Sequence, residues 1–179
     1  IHTFIATSDI HIESKLNSTR EKVKEKAINA VKKARQYTDD VQFSLEDFGR
    51  TEPAYAIEIS RAAIKAGATT INLPDTVGYL QPEEYFAMIK HTIDSCPKAI
   101  FSVHTHNDLG NATANTIAGL RAGARQAEVA MNNIGERAGN AALEEIVANL
   151  KTREIKDHQG TALYTGITTE NITKTSRNV

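Results

Sequence analysis

"KAGATTINLPDTVG" at residues 65–78 and "RAGARQAEVAMNNIG" at 121–135 are two versions of one phrase. Each holds a helix end, an Ala-Gly-Ala or similar small turn, a short strand-like run and a polar loop. Units of this kind, repeated along a chain, imply a parallel sheet with right-handed crossovers. The same rhythm extends outward in both directions. Strands are expected at 1–6, 41–46, 69–73, 99–104 and 126–131. Ser18 and Glu21 form a Ser-x-x-Glu capping box ahead of Val23, Ala27, Val31 and Ala34, which recur at near-helical spacing. Pro53 suits a helix start, and Gly67 a stop. Another helix begins near Pro82 and runs to about Ser95. Asn107 or Asp108 can cap the next, which ends at Gly123, and Leu143, Ile146, Val147 and Leu150 mark a last one after Asn140. Beyond about residue 155 the rhythm is lost, and the Thr-, Asn- and Gly-rich remainder offers one short helix near 168–176. Five strand–helix units fit a doubly wound open sheet or part of an eight-unit barrel, and periodicity alone does not choose.

Composition narrows the function classes. The chain has 179 residues, 40% hydrophobic and 24% charged, with a formal charge of -1. Lys and Arg are dispersed, so neither a nucleic-acid surface nor a membrane surface is expected. The single cysteine, Cys96, excludes an internal disulfide, fits a reducing cytoplasm and reads as structural. "IHTFIATS" starts directly as a strand, without an initiating Met, which reads as a chain cut from something longer.

Polar residues gather where the strands end. In "FSVHTHNDLGNA" (101–112), strand alternation turns His104 and His106 to the same face. Two imidazoles so placed can converge on one metal ion, or can simply bond to neighbouring loops. Thr7 and Ser8, then Ser44, Glu46 and Asp47, then Asp75 and Thr76, then Asn107 and Asp108, and finally Asn132, Asn133, Glu136, Arg137 and Asn140 follow the other strands. In parallel α/β folds the carboxyl ends of strands are where sites are built. Asn140 opens a helix and can serve as its N-cap, or its amide oxygen can serve as a hard metal ligand. No P-loop, dinucleotide fingerprint or G-x-S-x-G elbow is present.

These residues carry a resemblance. "HTFIATSDIH" (2–11), "FSLEDFGRT" (43–51), "GATTINLPDTVGY" (67–79), "VHTHNDLGNATANT" (103–116), "NNIGERAGNAALEE" (132–145) and "TGITTENITKTSRNV" (165–179) are similar to the acyl-CoA-dependent family of 2-isopropylmalate, homocitrate and citramalate synthases. "PDTVGY" and "GERAGN" favour the isopropylmalate branch. The resemblance implies a TIM barrel of which residues 1–155 supply units four to eight, with 156–179 opening a linker subdomain. It implies His104, His106 and Asn140 as ligands of a divalent metal (Zn, Mn or Mg). His2, Ser44 and Thr76 would line a keto-acid pocket, and Glu46 would take a catalytic part. The implied reaction condenses acetyl-CoA with 2-oxoisovalerate to give 2-isopropylmalate and CoA, in a homodimer. A metal-ligating Asp and a substrate-facing Arg belong to a family segment outside this chain. "NNIG" departs from the expected Asn-Gly-Ile-Gly at Asn133. Homocitrate or citramalate synthesis is the alternative within the family, and a non-catalytic metal-binding α/β module the alternative of another class.

Overall fold

The structure, a computed structural model, describes residues 1–96 and 98–179. Five strands form one parallel sheet: β1 (His2–Ala6), β2 (Gln42–Glu46), β3 (Thr70–Asp75), β4 (Ile100–Thr105) and β5 (Gln126–Glu128). Their order across the sheet is the order in the chain. A doubly wound sheet needs a point where strand order reverses. None exists here, so right-handed crossovers bring every connecting helix to the same face. That sequential, one-sided winding is the winding of a TIM barrel.

The connecting helices are α1 (Asp9–Ser14), α2 (Arg20–Ala34), α3 (Pro53–Ala66), α4 (Pro82–Ser95) and α5 (Ala112–Arg121), followed by α6 (Leu143–Thr152) and α7 (Ile172–Asn178). In α2 the stripe Val23, Ala27, Val31 and Ala34 is buried while Lys and Glu face out. Pro53 opens α3, Glu52 accepts from the Ala54 and Tyr55 amides, and Gly67 closes the helix at φ 116°. Phe43 and Leu45 of β2, Ile71 and Leu73 of β3, and Phe101 and Val103 of β4 pack beneath these helices, each at most 3% exposed. Burying one such side chain is worth about 1.5–3 kcal/mol. Cys96, at the end of α4, belongs to this core.

The opposite face carries Gln42, Ser44 and Glu46, then Asn72, Ser102 and His104, and finally Gln126 and Glu128. Gln42 of β2 donates to the Glu128 carboxylate of β5, and Gln126 of β5 donates to the Gln42 oxygen at 2.8 Å. In a flat sheet those strands would stand three spacings apart, about 14 Å. Side chains perpendicular to the sheet cannot meet across that gap, so the sheet is curled with this face inside.

Four details depart from expectation. The six-residue α1 is too short to leave a periodic signal. Thr19, not Ser18, caps α2, its hydroxyl accepting from the Lys22 amide. β5 stops at Glu128, short of residue 131. Residues 107–110 form a turn rather than a first helical turn: Gly110 N–H bonds the Asn107 carbonyl, and Asn107 Oδ1 accepts from Ala112 N at the true start of α5. Pro74, in a central strand, lies where pairing with β2 has already ended at Ser44–Asn72, so its missing N–H breaks no bond with β2.

Gly119 brings α5 close to β4, and a Cβ there would stand 2.6 Å from Val103 Cγ1. Gly→Ala in a helix gains about 1 kcal/mol, whereas overpacking costs about 1–3 kcal/mol. Gly119→Ala is therefore expected to lower stability by about 1 kcal/mol, and Val103→Ala in the same chain to relieve the clash. Urea unfolding of both single variants and the double variant checks the coupling.

Candidate functional site

The curl gathers polar side chains from several strand ends into one cleft of about 430 Å³. All seven residues to which the resemblance gives a role line it: His2, Ser44, Glu46, Thr76, His104, His106 and Asn140, whereas Thr7, Ser8, Asp47, Asp75, Asn107, Asp108, Asn132, Asn133 and Arg137 lie outside its wall. Phe4, Asn72, Pro74, Glu128, Gly135 and Glu136 complete the wall. A larger cleft of about 730 Å³, between α5, α6 and residues 153–157, is lined by the exposed ends of Arg121, Arg153 and Lys156 and holds none of these groups.

His104 and His106 meet as alternation requires. Their Nε2 atoms lie 3.0 Å apart, with the rings near perpendicular. The other nitrogen of each ring fixes its tautomer. His104 Nδ1 is 2.8 Å from the Glu128 carboxylate, which can only accept. His106 Nδ1 is 2.5 Å from the Thr76 carbonyl, which likewise can only accept. Arg137 Nη2, 2.8 Å from the same carbonyl, approaches His106 Nδ1 to 3.0 Å because both donors share that oxygen. Each Nδ1 thus carries a proton, and in neutral rings both Nε2 lone pairs point at each other. Such a pair is stable only with a cation or a proton between.

Asn140 is not a helix cap; Ala142 precedes α6. A backbone bridge to His106 brings Asn140 in, with its side-chain nitrogen 3.1 Å from His104 Nε2. Swapping amide oxygen and nitrogen, which are interchangeable by shape, would aim the oxygen at the same point. Gly135 makes room for this amide, since a Cβ at 135 would fall 1.7 Å from Asn140 Oδ1. Asn132, Asn133 and Arg137 in the same loop have φ of 59°, 60° and 53°. Asn133 stands where the resemblance leads one to expect Gly, and Asn is the side chain that best tolerates this left-handed conformation. Among the described residues no group of three or more His, Cys, Asp or Glu is arranged to hold a metal. The donors that can hold one are therefore two imidazoles and an amide.

At the β2 end, Lys15 pairs with Glu46 at 2.5 Å. Lys15 is half exposed, so the pair is worth at most about 1 kcal/mol. Thr76 Oγ1 accepts from the Asp47 amide at 2.9 Å, which leaves its own proton for another acceptor. His2 Nε2 and Asn72 Nδ2 both contact Ser44 Oγ, at 2.7 and 3.0 Å. Asp75 sits beneath, its carboxyl raised by burial against the bonds from Tyr79, Leu80 and Asn115.

Sequence reasoning missed Glu128, Asn72 and Gln42. Glu128 lies in the three-residue strand "QAE" (126–128), while Gln42 and Asn72 sit in β2 and β3. Burial raises the Glu128 carboxyl, but hydrogen bonds from His104 and Gln42 outweigh that and hold it below the usual glutamate range.

Fold and site together define a parallel α/β barrel-type scaffold with a histidine-pair cleft at the carboxyl ends of its strands. The model of the family described as HMGL-like matches residues 1–179, and the chain belongs to that family. It is similar to proteins named 2-isopropylmalate synthase: 53% identical to that of Campylobacter fetus over 99% of this chain, and 56% identical to that of Klebsiella pneumoniae over all of it. The chain spans about a third of those relatives' length, 35% and 34% respectively. Among solved structures, it superposes on hydroxymethylglutaryl-CoA lyase of Pseudomonas aeruginosa with a TM-score of 0.79 at 20% identity, covering 97% of this chain and 59% of that one. The carboxyl transferase domain of Rhizobium etli pyruvate carboxylase gives 0.68 at 20% identity, over 88% and 26%. These last two likenesses speak for the TIM-barrel fold alone.

Gly135→Ala is expected to displace the Asn140 amide while the fold survives. A crystal structure of the variant checks this: both polar atoms of the Asn140 amide should lie beyond hydrogen-bond distance of His104 Nε2.

Proposed function

We propose that this chain carries the later units of the catalytic barrel of a 2-isopropylmalate synthase, with residues 156–179 beginning a following subdomain, in a protein that acts as a homodimer. The observation that carries the reading is the pair of bare Nε2 atoms 3.0 Å apart. Two ligands at about 2.0–2.1 Å from one ion stand at such a separation when they are roughly at right angles. His104 and His106, with Asn140 through its amide oxygen, would hold a divalent metal (Zn, Mn or Mg). A neutral donor set of nitrogen and oxygen suits all three ions. When bound, the ion supplies Lewis-acid polarisation of a keto-acid carbonyl.

The chain's own residues supply the rest. Thr76, its hydroxyl proton unspent, donates to a substrate carboxylate oxygen. Ser44, held by His2 and Asn72, orients the same substrate from the neighbouring strand. Phe4, 64% exposed at the edge of the cleft, and Pro74 offer an apolar wall for the branched side chain of 2-oxoisovalerate. Glu46 reaches the cleft as a carboxylate that can take part in moving the proton lost from the acetyl-CoA methyl group. Loss of that proton gives the enolate that attacks the keto carbon, and hydrolysis of the thioester then releases CoA.

In the intact protein, His104→Ala and His106→Ala are each expected to weaken metal binding more than they lower the melting temperature. Calorimetric titration with Zn²⁺ or Mn²⁺ checks this, and unchanged affinity in both variants would exclude the pair as ligands.

Thr76→Ala should raise the Michaelis constant for 2-oxoisovalerate tenfold or more, since a hydrogen bond to a charged group is worth about 1.5–3 kcal/mol. Glu46→Gln should lower the turnover number instead. Steady-state CoA release with 2-oxoisovalerate, 2-oxoglutarate and pyruvate separates the isopropylmalate reading from its homocitrate and citramalate relatives.

A further inference from the structure

We infer that Glu128 is a positioning residue: its carboxylate locks the His104 imidazole in the tautomer that leaves Nε2 bare toward His106, and Gln42 and Asn72 hold that carboxylate in place. The inference rests on the metal reading only for its consequence; the tautomer itself can be measured without metal.

Three donors from three strands converge on this one side chain. His104 Nδ1 of β4 lies 2.8 Å from Oε2, and Asn72 Nδ2 of β3 lies 3.2 Å from the same oxygen. Gln42 Nε2 of β2 donates to Oε1. Gln42 in turn receives the Gln126 amide at 2.8 Å on its own oxygen, and Gln126 also donates to Ser102 Oγ at 3.1 Å. Amides and imidazoles can each present either a donor or an acceptor. A chain of bonds made only of such groups has no preferred direction. Glu128 is the member that cannot donate, so its charge sets the direction of the whole chain: Gln126 to Gln42 to Glu128, with His104 and Asn72 arriving from the other side. The bond to the imidazole is charge-assisted, hence stronger than its neutral counterpart. Carboxylate partners of ligating histidines fix ring orientation and tautomer in this way and raise ligand basicity.

Glu128→Gln keeps the size and removes the one obligatory acceptor. A glutamine can turn its NH₂ toward His104 and let the ring protonate on Nε2, which closes the face turned to His106. Glu128→Asp keeps the charge on a shorter arm.

The test uses intact protein labelled with ¹⁵N at histidine and freed of metal, at a pH well above the range in which imidazole is protonated. Long-range ¹H–¹⁵N spectra should show His104 as the Nδ1–H tautomer in the wild type. Glu128→Gln should show substantial Nε2–H population, and Glu128→Asp should retain Nδ1–H. Calorimetry with Zn²⁺ alone should then find Glu128→Gln about 10–100-fold weaker than wild type, with Glu128→Asp between the two. A wild-type His104 protonated on Nε2 would overturn the inference, as would a Glu128→Gln variant with unchanged tautomer and affinity. The wild-type spectrum decides the matter even if a variant fails to fold. Wild-type protein that binds no ion yet shows the Nδ1–H tautomer would refute the metal reading and leave the positioning role standing.

Discussion

The hydrogen bond from Gln42 to Glu128 spans strands that a flat sheet would hold about 14 Å apart. That span is possible only because the helices connecting the strands pack on one face, which leaves the other face free to close on itself. The closed face is polar, and buried polar groups are costly unless bonded. Curvature meets that demand by bringing Gln42, Asn72, His104, Gln126 and Glu128 within reach of one another. The same curvature narrows the space above the strand ends into the cleft. Fold and site therefore share one cause, the sequential parallel order of the strands.

Within the cleft, the arrangement of protons matters as much as that of heavy atoms. The Glu128 carboxylate accepts a hydrogen bond from His104 Nδ1, and the Thr76 carbonyl accepts one from His106 Nδ1. What is left is two lone pairs facing each other, an arrangement that repels unless a cation or a proton intervenes. The loop from Met131 to Asn140 supports it at some conformational cost, with three non-glycine residues in the left-handed region. Such strain gathers where a loop must present a side chain at a fixed point. Here the presented group is Asn140. Its backbone pairs with His106, and its amide fills the space that Gly135 leaves empty.

Much of this was legible in the residues. Alternation along "FSVHTH" put His104 and His106 on one face, and the strand-end rule brought Ser44, Glu46, Thr76 and Asn140 to the same cleft. Periodicity alone could not choose between an open and a closed sheet, because strand order is set by long-range pairing. The short α1 left no periodic trace, and the turn at Asn107–Gly110 imitated a helix start because Asn and Asp serve both purposes. Glu128 stayed hidden for a related reason. Its strand has three residues, too few to display an alternation, and its partners lie in strands distant in sequence.

The central claim is that His104 and His106 face each other because one divalent ion belongs between them. The most direct measurement is anomalous diffraction at the metal absorption edge on crystals of the intact protein grown with Zn²⁺ or Mn²⁺. The account predicts a single strong peak bonded to Nε2 of both histidines, at about 2.0–2.1 Å for Zn²⁺, with the Asn140 amide beside it. A peak elsewhere, bonding through Nδ1, or an empty position between well-ordered rings would contradict it.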